Sequence, residues 1–280
     1  MQDDSFRRDD AIDANFQYMT GQMNASQPAL LAAYEEESAA ALGLRPALDL
    51  RYGPHPRQTF DLFEAAEPIG TVAYLHAGYW QSRDKAQFRF LAPSFLEAGL
   101  NVAVVNYPLC PDVTLAALTD AVRDSIAAIA KMAPSSAHAG LVAMGHSAGA
   151  HLCVELALTD WQARGFSRSP LRGIVALSGV YDLAPLIMTP LNDKLRLDPS
   201  SAKTASPINR VRTGMPPALF AVGGLETPAF RRQTADMLEA WRNAGNRGEA
   251  LIAEDRDHFS LLRSAQDPGG ALFEKMMALF

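Results

Sequence analysis

The run Leu141-Val142-Ala143-Met144-Gly145-His146-Ser147-Ala148-Gly149 leads four apolar residues into a G-x-S-x-G, and a helix-forming segment over 148–159 follows it directly. A short apolar run bounded by turn residues predicts a buried strand over 141–144. A serine between glycines at a strand-to-helix junction predicts a sharp turn that strains its backbone and holds its hydroxyl clear of the sheet. Glycine is required on either side because a side chain there would collide with the neighbouring strand and helix. Such a turn can also bind a phosphate at the helix N-terminus. Neither G-x-x-x-x-G-K-[ST] nor G-x-G-x-x-G occurs here, which weakens that reading. Ser147 is therefore a candidate nucleophile.

Strand-like and helical segments alternate on both sides of this turn. Strands are expected over 59–63, 71–76, 101–107, 173–178, 218–222 and 250–253. Helices are expected over 82–97, capped by Ser82 and ended before Gly99, and over 115–132, 228–244 and 272–279. This order predicts one α/β domain over 1–280, a mostly parallel sheet joined by right-handed crossovers with helices on both faces. Residues 1–45 read as a helical arm, with helix formers at 15–19 and 28–42 but no core-sized apolar face of their own. Residues 183–215 carry Pro185, Pro190, Pro199 and Pro207 without a clear period. A long irregular segment in a compact domain is usually functional, so it is expected to be a cap or pocket-lining insertion.

The 280 residues are 48% hydrophobic and 20% charged, which excludes a disordered chain, a coiled coil or a fibre. A net charge of −6 gives no basic footprint for nucleic acid or an anionic membrane. The start, Met1-Gln2-Asp3-Asp4-Ser5, is polar and acidic, unlike a secretory signal. No stretch approaches the roughly 18 apolar residues of a membrane span. A cytoplasmic protein acting on a small molecule, with a homodimer open, is the expectation. Cys110 and Cys153 lack metal or disulfide spacing and are expected as packing. The six histidines show no H-E-x-x-H, so neither metal nor cofactor is expected.

A serine nucleophile needs a general base within hydrogen-bond reach, and the base needs a carboxylate to fix its tautomer. Only His151 and His258 follow Ser147. His151 lies four residues along the same helix and reads as packing, whereas His258 follows the last strand, where a loop can carry it over the sheet edge. Glu226, after strand 218–222, is the first candidate acid, with Asp182, Asp255 and Asp257 as rivals. An oxyanion hole needs backbone N–H donors aimed where charge develops. Ala148 is expected to supply one, and the loop His76-Ala77-Gly78-Tyr79-Trp80 the other. His76, Tyr79 and Trp80 are candidate substrate contacts, with loop bracing and packing as the plainer alternatives.

The chain resembles α/β-hydrolases of the arylformamidase (kynurenine formamidase) and small carboxylesterase group, related to hormone-sensitive-lipase-like bacterial esterases. The stretches that carry this resemblance are Tyr52-Gly53 with Pro56-Arg57-Gln58, Asp61-Leu62-Phe63, residues 76–82, 145–149, Tyr181-Asp182-Leu183, Ser206-Pro207, 223–233 and Asp257-His258-Phe259. The resemblance implies Ser147 as nucleophile, Glu226 as acid and His258 as base, with Gly78, Ala77 and Ala148 forming the hole. It implies cleavage of an N-formyl arylamide or a short-chain carboxylic ester; a catalytically silent binding protein on the same fold is the alternative from another class. One departure is Ala77, at the second position of a stretch that the family usually writes His-Gly-Gly-Tyr-Trp. A positive φ there would strain alanine by roughly 1 kcal/mol or more.

Overall fold

Runs of β-branched and small apolar residues, each closed by a turn, form eight strands: β1 (Ala47–Arg51), β2 (Thr59–Phe63), β3 (Gly70–Leu75), β4 (Leu100–Val105), β5 (Leu141–His146), β6 (Leu171–Leu177), β7 (Ala218–Gly223) and β8 (Gly248–Ala253). In the computed structural model, which describes residues 14–132 and 140–280, they make one sheet in the order β1-β2-β4-β3-β5-β6-β7-β8. β2 runs antiparallel to β1 and β4, and the other pairings are parallel. β1 was not expected from the sequence. It is an edge strand, largely exposed and interrupted in register, so pairing rather than an apolar pattern creates it.

The helices are α1 (Ala14–Tyr18), α2 (Gln27–Ala40), α3 (Ala92–Glu97), α4 (Leu115–Met132), α5 (Ala148–Ala157), α6 (Asn192–Leu195), α7 (Pro199–Ala205), α8 (Pro228–Asn243), α9 (Leu261–Ala265) and α10 (Ala271–Met277). The helix expected from Ser82 begins instead at Asp84, which forms a capping box with Gln87 and opens a 3-10 helix, Lys85–Leu91, ahead of α3. Residues 183–215 hold four short helical turns: Ala184–Met188, α6, α7 and Pro207–Arg210. Three of them carry proline in their first turn. None is long enough to display a helical period, which is why the sequence shows none.

The central strands are buried on both faces. Alternate residues feed two apolar layers. Ala73 and Leu75 of β3 pack with α4, α5 and α8. Val72 and Tyr74 pack with α3, α9 and α10, together with Tyr34 of α2. β3 is flanked by β4 on one side and β5 on the other, so connections from their carboxyl ends diverge. A crevice opens at such a switch point. The loop after β3 and the turn after β5 both end there.

Candidate active site

Ser147 follows β5 at this switch point with φ 56° and ψ −115°, an unusual conformation for a non-glycine residue. Its N–H donates to Leu177 O at the end of β6 (2.8 Å), which fixes the turn to the sheet. A Cβ on Gly145 would come within 2.2 Å of Gly149 O, and one on Gly149 within 1.9 Å of Leu75 O. The flanking glycines therefore answer to backbone contact. Ala148 is the first residue of α5, so its N–H has no carbonyl one turn earlier in the helix to accept it.

His258 follows β8, and its Nδ1 lies 2.7 Å from Glu226 Oε2. Glu226 is buried, and its Oε1 accepts from Gly223 N (2.7 Å) and from Ser178 Oγ. These bonds hold the carboxylate with one oxygen committed to the imidazole. The rival acids are engaged elsewhere. Asp182 accepts from Ala184 N (3.0 Å), Asp257 accepts from Phe259 N and Ser260 N within its own turn, and Asp255 pairs with Arg256. His258 is brought beside the elbow by His146, whose Nε2 is 2.7 Å from His258 O, with ring centroids 4.7 Å apart. Ser178 and His146 were not singled out from the sequence. The usable signal for Ser178 was its place at the carboxyl end of a parallel strand, where α/β sites collect.

The loop after β3 is turned by positive φ at Gly78 (124°), Tyr79 (50°) and Trp80 (60°). Ala77 is not among the positive-φ residues, so the strain foreseen for its methyl does not arise. The amides of Gln81 and Ser82 both donate to Gly78 O, which leaves those of Gly78 and Tyr79 outside the bonds that close the turn. A Cβ on Gly78 would meet Ser82 O at 2.3 Å. The expected substrate contacts divide. His76 and Trp80 are completely buried. His76 stacks on Tyr107 (4.2 Å), reaches Asn106 Oδ1 (3.2 Å) and braces the loop from beneath. Burial pushes its pKa down to about 4. Trp80 packs edge-on against His151, a buried residue whose Nε2 meets Ala205 O (2.9 Å), in keeping with a packing role. Tyr79 is partly exposed and its hydroxyl donates to Tyr18 O in the arm. Cys110 and Cys153 are both buried and unpaired.

Two large cavities lie off this centre. One of about 630 Å³ is bounded by Leu115, His151, Glu155, Lys194 and Arg210, and one of about 580 Å³ by Gln17, Tyr18, Asp182, Met188 and Gln233. Ser147 and His258 line neither. Among the described residues, no three His, Cys, Asp or Glu side chains could hold a metal ion, and no helix is long and apolar enough to cross a membrane.

Residues 62–240 match the BD-FAE family model. The chain belongs to the BD-FAE family. It is an α/β-hydrolase of the esterase and formamidase kind. This BD-FAE chain is 28% identical to kynurenine formamidase of Danio rerio over 240 residues, 83% of this chain and 81% of the relative. It is 29% identical to kynurenine formamidase of Salmo salar over 250 residues, 85% and 83% of the two chains. A crystal structure from Silicibacter sp. TM1040, provisionally described as a thioesterase, superposes with a TM-score of 0.76 at 30% identity over 94% of this chain and 97% of its own. Esterase LipW from Mycobacterium marinum, at 19% identity and a TM-score of 0.67 over 91% of this chain and 86% of its own, shares the fold.

Proposed function

We propose that this protein is a serine hydrolase that cleaves an N-formyl arylamide or a small carboxylic ester through an acyl-enzyme, with Ser147 as nucleophile, His258 as base and Glu226 as its carboxylate partner. The observation that carries this reading is the His258 Nδ1 contact to a buried, doubly hydrogen-bonded Glu226, beside the strained turn at Ser147. A carboxylate on Nδ1 holds the proton there and leaves Nε2 as the basic nitrogen. His258 takes the Ser147 proton, the hydroxyl oxygen attacks the carbonyl, and the amides of Ala148 and of the Ala77-Gly78 loop stabilise the tetrahedral oxyanion. His258 then protonates the departing amine or alcohol. It next deprotonates a water that releases the acid and restores Ser147.

Similarity to the kynurenine formamidases favours an N-formyl arylamide. The short-chain ester is the second reading, because the same three residues cleave both and a shared fold does not choose between them. Rates on N-formylkynurenine and p-nitrophenyl acetate, measured for wild type and Ser147→Ala, test both points. A higher kcat/KM on the formamide supports the first reading, and the reverse supports the second. Ser147→Ala is expected to fold, to show only background hydrolysis and to resist a fluorophosphonate label; wild-type turnover by this variant overturns the mechanism. Absence of labelling in wild type would favour the silent binding protein.

The helical turns between 184 and 210 belong to this proposal as a cap. Gln81 Nε2, in the oxyanion loop, donates to Leu191 O (2.8 Å), which ties the segment to the site. Deleting the segment should change substrate preference more than fluorophosphonate labelling, and an unchanged preference counts against a cap.

A further inference from the structure

We infer that His146 is the positioning residue of the catalytic base, holding the main chain of His258 against the strand that carries the nucleophile; this rests on the acyl-transfer reading above. The geometry is direct. His146 is the last residue of β5 and the immediate neighbour of Ser147, and its Nε2 lies 2.7 Å from His258 O across 112 residues of sequence. Both rings are buried, with centroids 4.7 Å apart. One side chain therefore links the backbone positions of nucleophile and base.

The other bonds of the base loop do different work. Asp257 Oδ1 accepts from Phe259 N (2.9 Å) and Ser260 N (2.7 Å), which shapes the turn without placing it. Asn24 Nδ2 donates to Asp257 Oδ2 (2.6 Å) and Tyr34 Oη to Phe259 O (3.0 Å), which fasten the loop to the arm on its outer side. His146 fastens it on the inner side.

The chemistry of the contact also fixes the tautomer. A carbonyl oxygen only accepts, so the proton resides on Nε2. Nδ1 is buried and has no hydrogen-bond partner among the described residues, so a second proton there would be left unsatisfied. Burial first, and then the charge on His258, hold the His146 pKa well below the ordinary histidine value. His146 thus remains a neutral donor while the neighbouring imidazole becomes cationic during turnover.

The test compares His146→Leu, which removes the donor, with His146→Gln, whose amide N–H can reach the same carbonyl. With p-nitrophenyl acetate, His146→Leu is expected to lower kcat about 10- to 100-fold, the loss that follows a small misplacement of a reacting group. KM should stay within about twofold, because the missing interaction acts on the transition state rather than on binding. His146→Gln should recover kcat to within about threefold of wild type. Wild-type kcat in the Leu variant, or an equal loss in both variants, overturns the inference. Should the Leu variant fail to fold, His146→Met takes its place with the same expectations. ¹⁵N-histidine spectra of the wild-type protein give an independent check: a proton on Nε2 of residue 146 supports the bond, and one on Nδ1 refutes it. An inactive wild type would instead defeat the acyl-transfer reading and leave the spectroscopic result standing.

Discussion

Ser147 is held at φ 56° by contacts that leave its neighbours no room for a side chain. Backbone strain of this kind persists only where the surroundings over-determine it. Gly149→Ala is therefore expected to lower stability by about 3 kcal/mol or more, because the intruding methyl meets backbone rather than a mobile side chain. Urea unfolding measures this, and a midpoint equal to wild type would mean that the elbow relaxes freely. The proposed role of Glu226 has its own residue-level test. Glu226→Gln keeps the shape but presents an amide to His258 Nδ1, and the wrong tautomer should lower kcat about 10³- to 10⁴-fold. Asp182→Asn, whose carboxylate engages Ala184 N instead of His258, should keep kcat within about twofold of wild type, as expected for a residue outside the reacting set. The opposite ranking in p-nitrophenyl acetate assays would exchange their roles.

Between elements, one buried side chain does much of the joining. Gln233 of α8 accepts from Tyr181 N (2.8 Å) and Asp182 N (2.9 Å), and donates to Asp182 O (2.9 Å) and Tyr18 Oη (3.0 Å). It thereby fastens the chain leaving β6, the helix that follows Glu226 and the N-terminal arm to one another. Gln233→Met matches the volume but strands several buried backbone groups, so a loss of about 3 kcal/mol is expected in urea unfolding. A loss below about 1 kcal/mol would show that these groups find other partners. The arm also reaches the site loops. Gln22 Nε2 donates to Thr227 Oγ1 (2.6 Å) beside Glu226, and Tyr79 donates to Tyr18 O. At its far end Arg263 pairs with Glu37 and lies 4.4 Å over the Tyr34 ring, so α2 and α9 are clamped together. The described residues 14–45 are thus held by what they cover, and residues 1–13 of the expected arm lie outside the described residues.

Across the whole molecule, burial of neutral histidines adds an acid-sensitive contribution to stability. His76, His146 and His151 are all buried, and burial lowers the pKa of each, to about 4 for His76 from 6.5. The unfolded chain therefore binds more protons than the folded one as pH falls through 6.5 toward 4. Stability present above pH 6.5 is lost across that window, by about 3 kcal/mol for His76 alone. Urea midpoints at several pH values should show this fall, and His76→Gln should flatten it; an identical slope in both proteins would remove His76 as a cause. The alternation of strands and helices, the elbow around Ser147 and the place of His258 after the last strand were legible in the sequence because each is a local pattern. Ala47–Arg51 and the short turns of 184–210 were not, since an exposed edge strand and single helical turns leave no periodic trace. The contact of His258 Nδ1 with Glu226 rather than with Asp182, Asp255 or Asp257, the burial of His76 and Trp80, and the bridge from His146 to His258 O were decided by the tertiary structure. Sequence spacing determines which face or loop a residue occupies. Hydrogen-bond partners are determined by distances between strand ends, which exist only once the sheet has assembled.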